Sequence, residues 1–185
     1  MLIEVRFHGR GGQGVVTAAD FLAIAGFKEG YYTLSFPTFG AEKRGTPVAS
    51  FLRISDEPIV VRDEVYYPDY VVVLDPSVFE SVNVVSGLKK NGMLIANYPK
   101  GAEDLKAILK TDARIATINA TKIAMKILGR PITNTTMVGA FAGATGLFKL
   151  ETLKETVEEV FEGSLAEKNK LAIEEAYNLM REVCR

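Results

Sequence analysis

Residues 9–14 read Gly-Arg-Gly-Gly-Gln-Gly, after an apolar stretch from Leu2 to Phe7 and before an Ala-, Val-, Leu- and Ile-rich run from Val15 to Phe27. Strand, glycine turn and helix in that order constrain the fold more than any other segment, because the reversal brings the helix start directly against the strand end. Only Thr17 and Asp20 interrupt the apolar character of the helix, and Gly30 closes it. Such a helix is expected to be buried on two sides, against a sheet and against a further layer. In this setting G-x-G-x-x-G lets backbone N–H groups approach an anionic phosphate at the helix N-terminus, and the alternative is a tight turn that serves only close packing. The nicotinamide version needs an Asp or Glu closing the second strand, about 20 residues on, to hold ribose hydroxyls. Here the second strand, Tyr31 to Phe36, ends in Ser35-Phe36-Pro37, and the nearest acids, Glu29 and Glu42, lie before and after it.

A polar loop, Thr38 to Thr46, leads into Val48 to Ile54 with no helix-length segment between, so parallel rhythm breaks and an antiparallel excursion is expected. Asp56-Glu57-Pro58 turns the chain, and Ile59-Val60-Val61 reads as a hairpin partner. Tyr70 to Leu74 is a strand buried on both faces, followed by the helix-start chemistry of Asp75-Pro76-Ser77 and a helix from Val78 to Leu88. Met93 to Asn97, Ala102 to Leu109 and Arg114 to Ile118 continue as strand, helix and strand, and the remaining third reads as helical. There Leu153, Val157, Val160 and Phe161 keep helical spacing. The last helix opens with a Ser164-x-x-Glu167 capping box and turns Ile173, Ala176, Tyr177, Met180 and Val183 inward. The expected fold is α/β: an open, mostly parallel Rossmann-like sheet with an antiparallel excursion and a helical C-terminal third, in one domain over residues 1–185.

Met137 to Phe148, with Gly139-x-x-x-Gly143, is too short for the roughly 20 apolar residues of a bilayer span. It reads as a buried core helix whose small residues permit close approach, or else as a face that packs on another subunit, including self-association of the isolated chain. The 22 Lys and Arg balance 23 Asp and Glu, which gives no electrostatic case for nucleic acid or a membrane surface. One Cys, Cys184, and one His, His8, exclude a disulfide, a thiolate-held iron–sulfur cluster and a Cys/His zinc site within the chain. His8 beside a glycine turn reads as a packed side chain, and no nucleophile–base–orienter trio can be assembled. The start Met-Leu-Ile-Glu-Val-Arg lacks a secretory pattern, so the location is expected to be cytoplasmic. Asn119 and Asn134 are then helix-start residues.

The candidate site residues are Gly9, Arg10, Gly11, Gly12, Gln13 and Gly14, with Lys43 and Arg44 of a second polar cluster that could fold over the loop and bind phosphates or carboxylates. Judged alone, Lys43 and Arg44 are ordinary solvated charges. Together, Phe7 to Gly14, then Phe39-Gly40-Ala41-Glu42-Lys43-Arg44-Gly45, then Asn134-Thr135-Thr136-Met137-Val138-Gly139-Ala140, resemble the gamma subunit of 2-oxoacid:ferredoxin oxidoreductases of the pyruvate (pyruvate synthase) and ketoisovalerate type. The likeness covers essentially the whole chain. Thr46-Pro47 stands where many members have a second glycine after Arg-Gly.

The resemblance implies a multisubunit enzyme that oxidatively decarboxylates a 2-oxoacid, pyruvate first among the candidates, with coenzyme A and passes electrons to ferredoxin. Alpha-, beta- and delta-type partners would carry thiamine diphosphate with magnesium and the iron–sulfur clusters. This chain would bind no cofactor tightly alone and would be inactive alone. Its glycine loop and the Lys43–Arg44 loop would line a cleft that holds the phosphates of coenzyme A. Two other readings stay open: a free-standing NAD(P)-binding oxidoreductase, and a scaffold that only packs against partner subunits.

Overall fold

The computed structural model describes residues 1–38 and 44–185. Along them run β1 (Leu2–Arg10), α1 (Val15–Lys28), β2 (Tyr32–Pro37), β3 (Pro47–Ser55), β4 (Tyr70–Val73), a 3₁₀ turn (Pro76–Glu80), β5 (Met93–Asn97), α2 (Ala102–Leu109), β6 (Arg114–Ile118), α3 (Ala120–Leu128), α4 (Asn134–Thr145), α5 (Leu150–Val160) and α6 (Gly163–Val183). The strands form one sheet in the order β2-β3-β1-β4-β5-β6. β1, β4, β5 and β6 are parallel neighbours, whereas β3 runs against both β1 and β2. The excursion expected from the missing helix is therefore one reversed strand slotted between β2 and β1.

Alternation within the strands builds two cores. Val5 and Phe7 of β1, Val72 of β4 and Ile95 of β5 face the layer of α1, α4 and α6. Val71 and Val73 of β4, with Leu94 and Ala96 of β5, face α2 and the chain around Val78 and Val84. Burial on both faces explains why β4 and β5 read as continuous apolar runs. α4 lies under α6 with every residue from Thr135 to Gly143 buried, which is the buried-helix reading of the Gly139-x-x-x-Gly143 segment.

Three local expectations are corrected. Ile59-Val60-Val61 is no strand, because β1 and β2 already occupy both edges of β3. The segment instead runs as an irregular strap held by buried Arg53 and half-buried Arg6: Arg53 Nη1 donates to Val61 O at 3.2 Å and Arg6 Nη1 to Val65 O at 3.3 Å. Val78 to Leu88 is not a helix beyond the 3₁₀ turn. Val82, Val84 and Val85 lose side-chain freedom in a helix, Ser81, Asn83 and Ser86 compete for backbone partners, and the Val84 and Ser86 carbonyls are taken by Arg6 Nη2 at 3.0 and 2.6 Å. Asp75 nevertheless caps as expected, accepting from Ser77 N at 2.8 Å. Finally, α6 starts at Gly163, one residue ahead of the capping box, so Ser164 falls inside the first turn and caps nothing, and Glu167 pairs with Lys170 at 3.1 Å. At its far end Val183 is exposed. Asn119 does cap α3, accepting from Lys122 N at 3.0 Å, and Asn134 is the first residue of α4.

Candidate functional site

The sheet's connections reverse direction beside β1: one way the chain proceeds through α1 to β2, the other way lie β4, β5 and β6. Open α/β sheets bind ligands outside the carboxyl ends of the strands at such a switch point. A cleft of about 470 Å³ lies there, lined by Gly12 and Gln13 after β1, Leu74 and Asp75 after β4, Asn97 at the end of β5, and Thr121, Ile132 and Thr133 from the helical half.

The glycine turn has its residues for steric reasons. A Cβ on Gly9 would come within 2.6 Å of Val15 Cγ2, and Gly14 has a positive φ of 76° with its Cα facing Asn134, whose Nδ2 a Cβ would meet at 2.5 Å. The polar side chains of the turn are spent on its own frame. Gln13 Oε1 accepts from Arg10 N at 2.7 Å while Gln13 Nε2 donates to Asp75. Arg10 donates through Nε to Ser77 Oγ at 2.6 Å, through Nη2 to Ser77 O at 3.1 Å and through Nη1 to Gly45 O at 3.1 Å. What the turn leaves unpaired among the described residues is backbone: the Gly12 and Gly14 N–H groups at the start of α1.

The chain entering β3 packs on this turn. Gly11 N donates to Thr46 O at 2.8 Å and Gly45 N to Gly11 O at 3.1 Å, and this pair lays Arg44 along Gly12, with Arg44 Cγ 3.7 Å from where a Gly12 Cβ would be. Arg44 is exposed at the rim. Lys43, with the rest of Phe39 to Lys43, lies outside the described residues.

Asp75, which the sequence shows only as a helix start, completes the cleft with Asn97, Thr121 and Thr133, which sequence reasoning does not single out. Asn97 Nδ2 donates to Leu74 O at 2.9 Å and to Thr121 Oγ1 at 2.9 Å, and Thr133 Oγ1 donates to Leu74 O at 3.2 Å, so one carbonyl ties β4, β5 and the α4 start together. The available signal was positional: polar residues that end buried parallel strands sit at the sheet's carboxyl edge. Burial pushes the Asp75 carboxyl up, but hydrogen bonds from Gln13 and Ser77 and the charge of Arg10 outweigh it and hold the group below its ordinary value. Asp75 is thus an ionised acid in a cleft whose lining holds no cation among the described residues. His8 is buried and pushed down to about 3, by desolvation first and by Arg6 second; it stays neutral and accepts from Arg6 Nε at 3.1 Å.

The topology also bears on dinucleotide binding. The strand that would carry a ribose-holding acid must lie beside β1 and run parallel to it. Here β3 takes that place in the opposite direction, and β2 is displaced to the sheet edge. Among the described residues no three His, Cys, Asp or Glu converge as a metal site, and Cys184 is a lone thiol. The donor set does not fit an iron–sulfur cluster. No helix among the described residues is long and apolar enough to cross a membrane.

Fold and site define a class: an α/β protein with a polar cleft at its switch point, rimmed by a basic turn, and with a single Cys, too few for an iron–sulfur cluster. The sequence profile for pyruvate ferredoxin/flavodoxin oxidoreductase matches residues 4–179, and the chain belongs to that family. It is 54% identical over 178 residues to the pyruvate/ketoisovalerate oxidoreductases common subunit gamma of Thermococcus kodakarensis, covering 96% of each chain. It is 52% identical over 179 residues to pyruvate synthase subunit PorC of Methanocaldococcus jannaschii, covering 97% of each. The crystal structure of pyruvate oxidoreductase subunit PORC from Thermotoga maritima superposes with a TM-score of 0.86 at 34% identity over 96% of both chains. The same fold recurs in 31% of a 2-oxoglutarate:ferredoxin oxidoreductase chain from Magnetococcus marinus, with a TM-score of 0.81 and 21% identity over 98% of this chain.

Proposed function

We propose that the chain is the gamma subunit of a pyruvate-type 2-oxoacid:ferredoxin oxidoreductase and that its switch-point cleft forms one wall of the coenzyme A site in the assembled enzyme. The observation that carries the second part is the reciprocal Gly11–Thr46 and Gly45–Gly11 hydrogen-bond pair, which sets the Arg44 cation against a turn whose Gly12 and Gly14 N–H groups are unpaired. A guanidinium beside unpaired backbone donors at a helix N-terminus is a chemical match for a phosphate. In this reading Gly12, Gly14 and Arg44 meet the ligand, with Lys43 adjoining in sequence. Gly9, Gly11, Arg10 and Gln13 hold the turn in shape. The membership of the family and the relatives' description as subunits support assembly into a multisubunit complex, which in this reading joins alpha-, beta- and delta-type chains in the cytoplasm. Those chains would hold thiamine diphosphate, magnesium and the clusters, which the single Cys of this chain cannot ligate, and would pass electrons to ferredoxin.

The test is the Arg44→Ala complex. One charge-assisted contact at a solvated rim corresponds to about 1.5 kcal/mol, or about a tenfold rise in the KM for coenzyme A, with the KM for the 2-oxoacid unchanged. A normally assembled complex with an unchanged coenzyme A KM leaves the chain a scaffold subunit.

A further inference from the structure

The two edges of the sheet differ. β6 is buried along most of its length, and its one exposed residue is Arg114. At the other edge β2 has no fully buried residue, and Tyr32 to Phe36 carries no charged side chain. Edge strands are commonly blunted by charges, prolines or bulges, because a free row of N–H and C=O groups is a template for another strand. Of these devices β2 has only Pro37, at its end, and its register with β3 runs without a bulge.

The register shows which main-chain groups are free. Thr38 N donates to Ala49 O at 3.0 Å, so alternation along the antiparallel ladder makes Phe36–Phe51, Leu34–Arg53 and Tyr32–Ser55 the hydrogen-bonded pairs. Thr33 and Ser35 therefore turn their N–H and C=O groups away from the sheet, and no hydrogen bond among the described residues reaches them. Their side chains are tied back to α1: Thr33 Oγ1 donates to Ala23 O at 2.9 Å and Ser35 Oγ to Asp20 Oδ1 at 2.6 Å. Tyr32, Leu34 and Phe36 project to the opposite face.

This edge is complementary to itself. Laid antiparallel on a second β2 about a twofold axis at Leu34, Thr33 of each copy exchanges both of its main-chain bonds with Ser35 of the other. The ladder also ends itself. The next outward positions are Tyr31, whose N–H is already given to Gly26 O at 3.0 Å, and Pro37, which has no N–H. Across the axis Leu34 meets Leu34 and Tyr32 meets Phe36, which are favourable cross-strand pairs. On the α1 side, exposed Ile24 and Phe27 share a helix face with Asp20, which its bond to Ser35 holds beside the edge. Because β1 and β2 both run against β3, they are parallel to each other, and the twofold sends the glycine turns of the two copies to opposite ends of the joined sheet.

We propose that the β2 edge is an interface between two copies of this chain, joining their six-stranded sheets into one. A second copy fits better than a foreign strand, because the free main-chain groups, the side-chain pairs and both ladder ends match under the same twofold axis. The proposal is independent of the reading of the cleft.

The experiment maps the register by disulfide trapping with diamide in the Cys184→Ser background, which leaves no other thiol in the chain, on the full chain and on the assembled complex. Facing residues of a non-hydrogen-bonded pair have Cα atoms about 4.5 Å apart, within disulfide reach. Leu34→Cys is expected to give a covalent dimer of this chain in both samples. Tyr32→Cys and Phe36→Cys are each expected to stay unlinked alone and to cross-link when mixed. In sedimentation equilibrium of the full chain, Ser35→Ala loses only the Asp20 bond and is expected to associate as the wild type does. Ser35→Pro removes the outward N–H and no bond to β3, so the dimer dissociation constant is expected to rise about thirtyfold with the circular dichroism spectrum unchanged. The interface is overturned by a wild-type chain that stays monomeric, by Ser35→Pro associating like the wild type, or by Leu34→Cys failing to link in either sample. Equal linking at all three positions, or a disulfide from the Leu34→Cys thiol to a different subunit, overturns it as well.

Discussion

Replacing Gly139 by Ala pits two effects against each other whose sizes the structure settles. In the middle of a helix, Ala is favoured over Gly by about 1 kcal/mol. At this position, however, the new methyl would lie 2.3 Å from Ile173 O and 2.8 Å from Ile173 Cα. Contact at ordinary separation is roughly 3.5 Å, so α4 and α6 must part by about 1 Å. The obstacle is backbone, so no rotamer change relieves it. Gly143 repeats the arrangement one turn on, where an added Cβ would lie 2.2 Å from Tyr177 O. Overpacking of this kind costs about 1–3 kcal/mol, and with nothing free to yield the upper end applies. The net loss is about 2 kcal/mol, which for a chain of this size lowers Tm by about 4–8 °C. Thermal unfolding of the full chain followed by circular dichroism reads this directly, with Gly26→Ala as the comparison. There the methyl meets Thr33 Cγ2 at 2.8 Å and Phe148 Cε1 at 3.4 Å, side chains that can shift, and the loss should be about 1 kcal/mol or less. A Gly139→Ala chain as stable as the wild type would refute the claim that backbone contact sets the α4–α6 distance.

His8 makes stability depend on pH. Its folded value of about 3 lies below the ordinary 6.5, so below that pH the unfolded chain takes up a proton that the folded chain refuses, and stability falls as pH falls. Between pH 6.5 and 5 the slope of about 1.4 kcal/mol per unit amounts to about 2 kcal/mol. A His8→Gln chain, which still offers Arg6 an acceptor, should show a flatter Tm against pH across that window, and an unchanged slope would count against a neutral buried His8. Arg10→Lys removes at least two of three guanidinium bonds and should lower Tm by several degrees while changing the coenzyme A KM less than Arg44→Ala does. The reverse pattern, an intact Tm with a KM raised as far as in Arg44→Ala, would make Arg10 a ligand contact.

Where one strand or helix satisfies its own pattern, the sequence was legible. The expected bounds of β5, α2 and β6 coincide with those of the fold, and the glycine turn sits between β1 and α1 as read. The failures occur where the deciding partner is distant. Ile59-Val60-Val61 has strand composition, but its place beside β3 is taken by β1, more than forty residues earlier in the chain. Val78 to Leu88 has the apolar content of a helix, yet its carbonyls answer to Arg6 on another strand. The same holds in the site. Arg10 and Gln13 look like free polar groups in a loop until Asp75 and Ser77 arrive from the end of β4 to occupy them. Asp75 itself reads as a helix cap, which it is, and nothing local shows that its other oxygen faces Gln13.

The reversed strand links the fold to the chemistry. An antiparallel neighbour of β1 must begin where β1 ends, and the register puts Arg10 opposite Pro47. The residues just before Pro47 therefore have to cross the carboxyl edge of the sheet beside the glycine turn, whatever their sequence. In a dinucleotide-binding sheet the strand in that position is parallel, and its carboxyl end brings an acid to the ribose. Here the amino end of β3 is delivered to the same edge, carrying Arg44-Gly45-Thr46. One strand reversal exchanges a ribose-holding acid for a basic turn while keeping the same glycine loop. That exchange accounts together for the missing acid after β2 and for the Gly11–Thr46 and Gly45–Gly11 bonds on which the proposed phosphate contact of Arg44 rests.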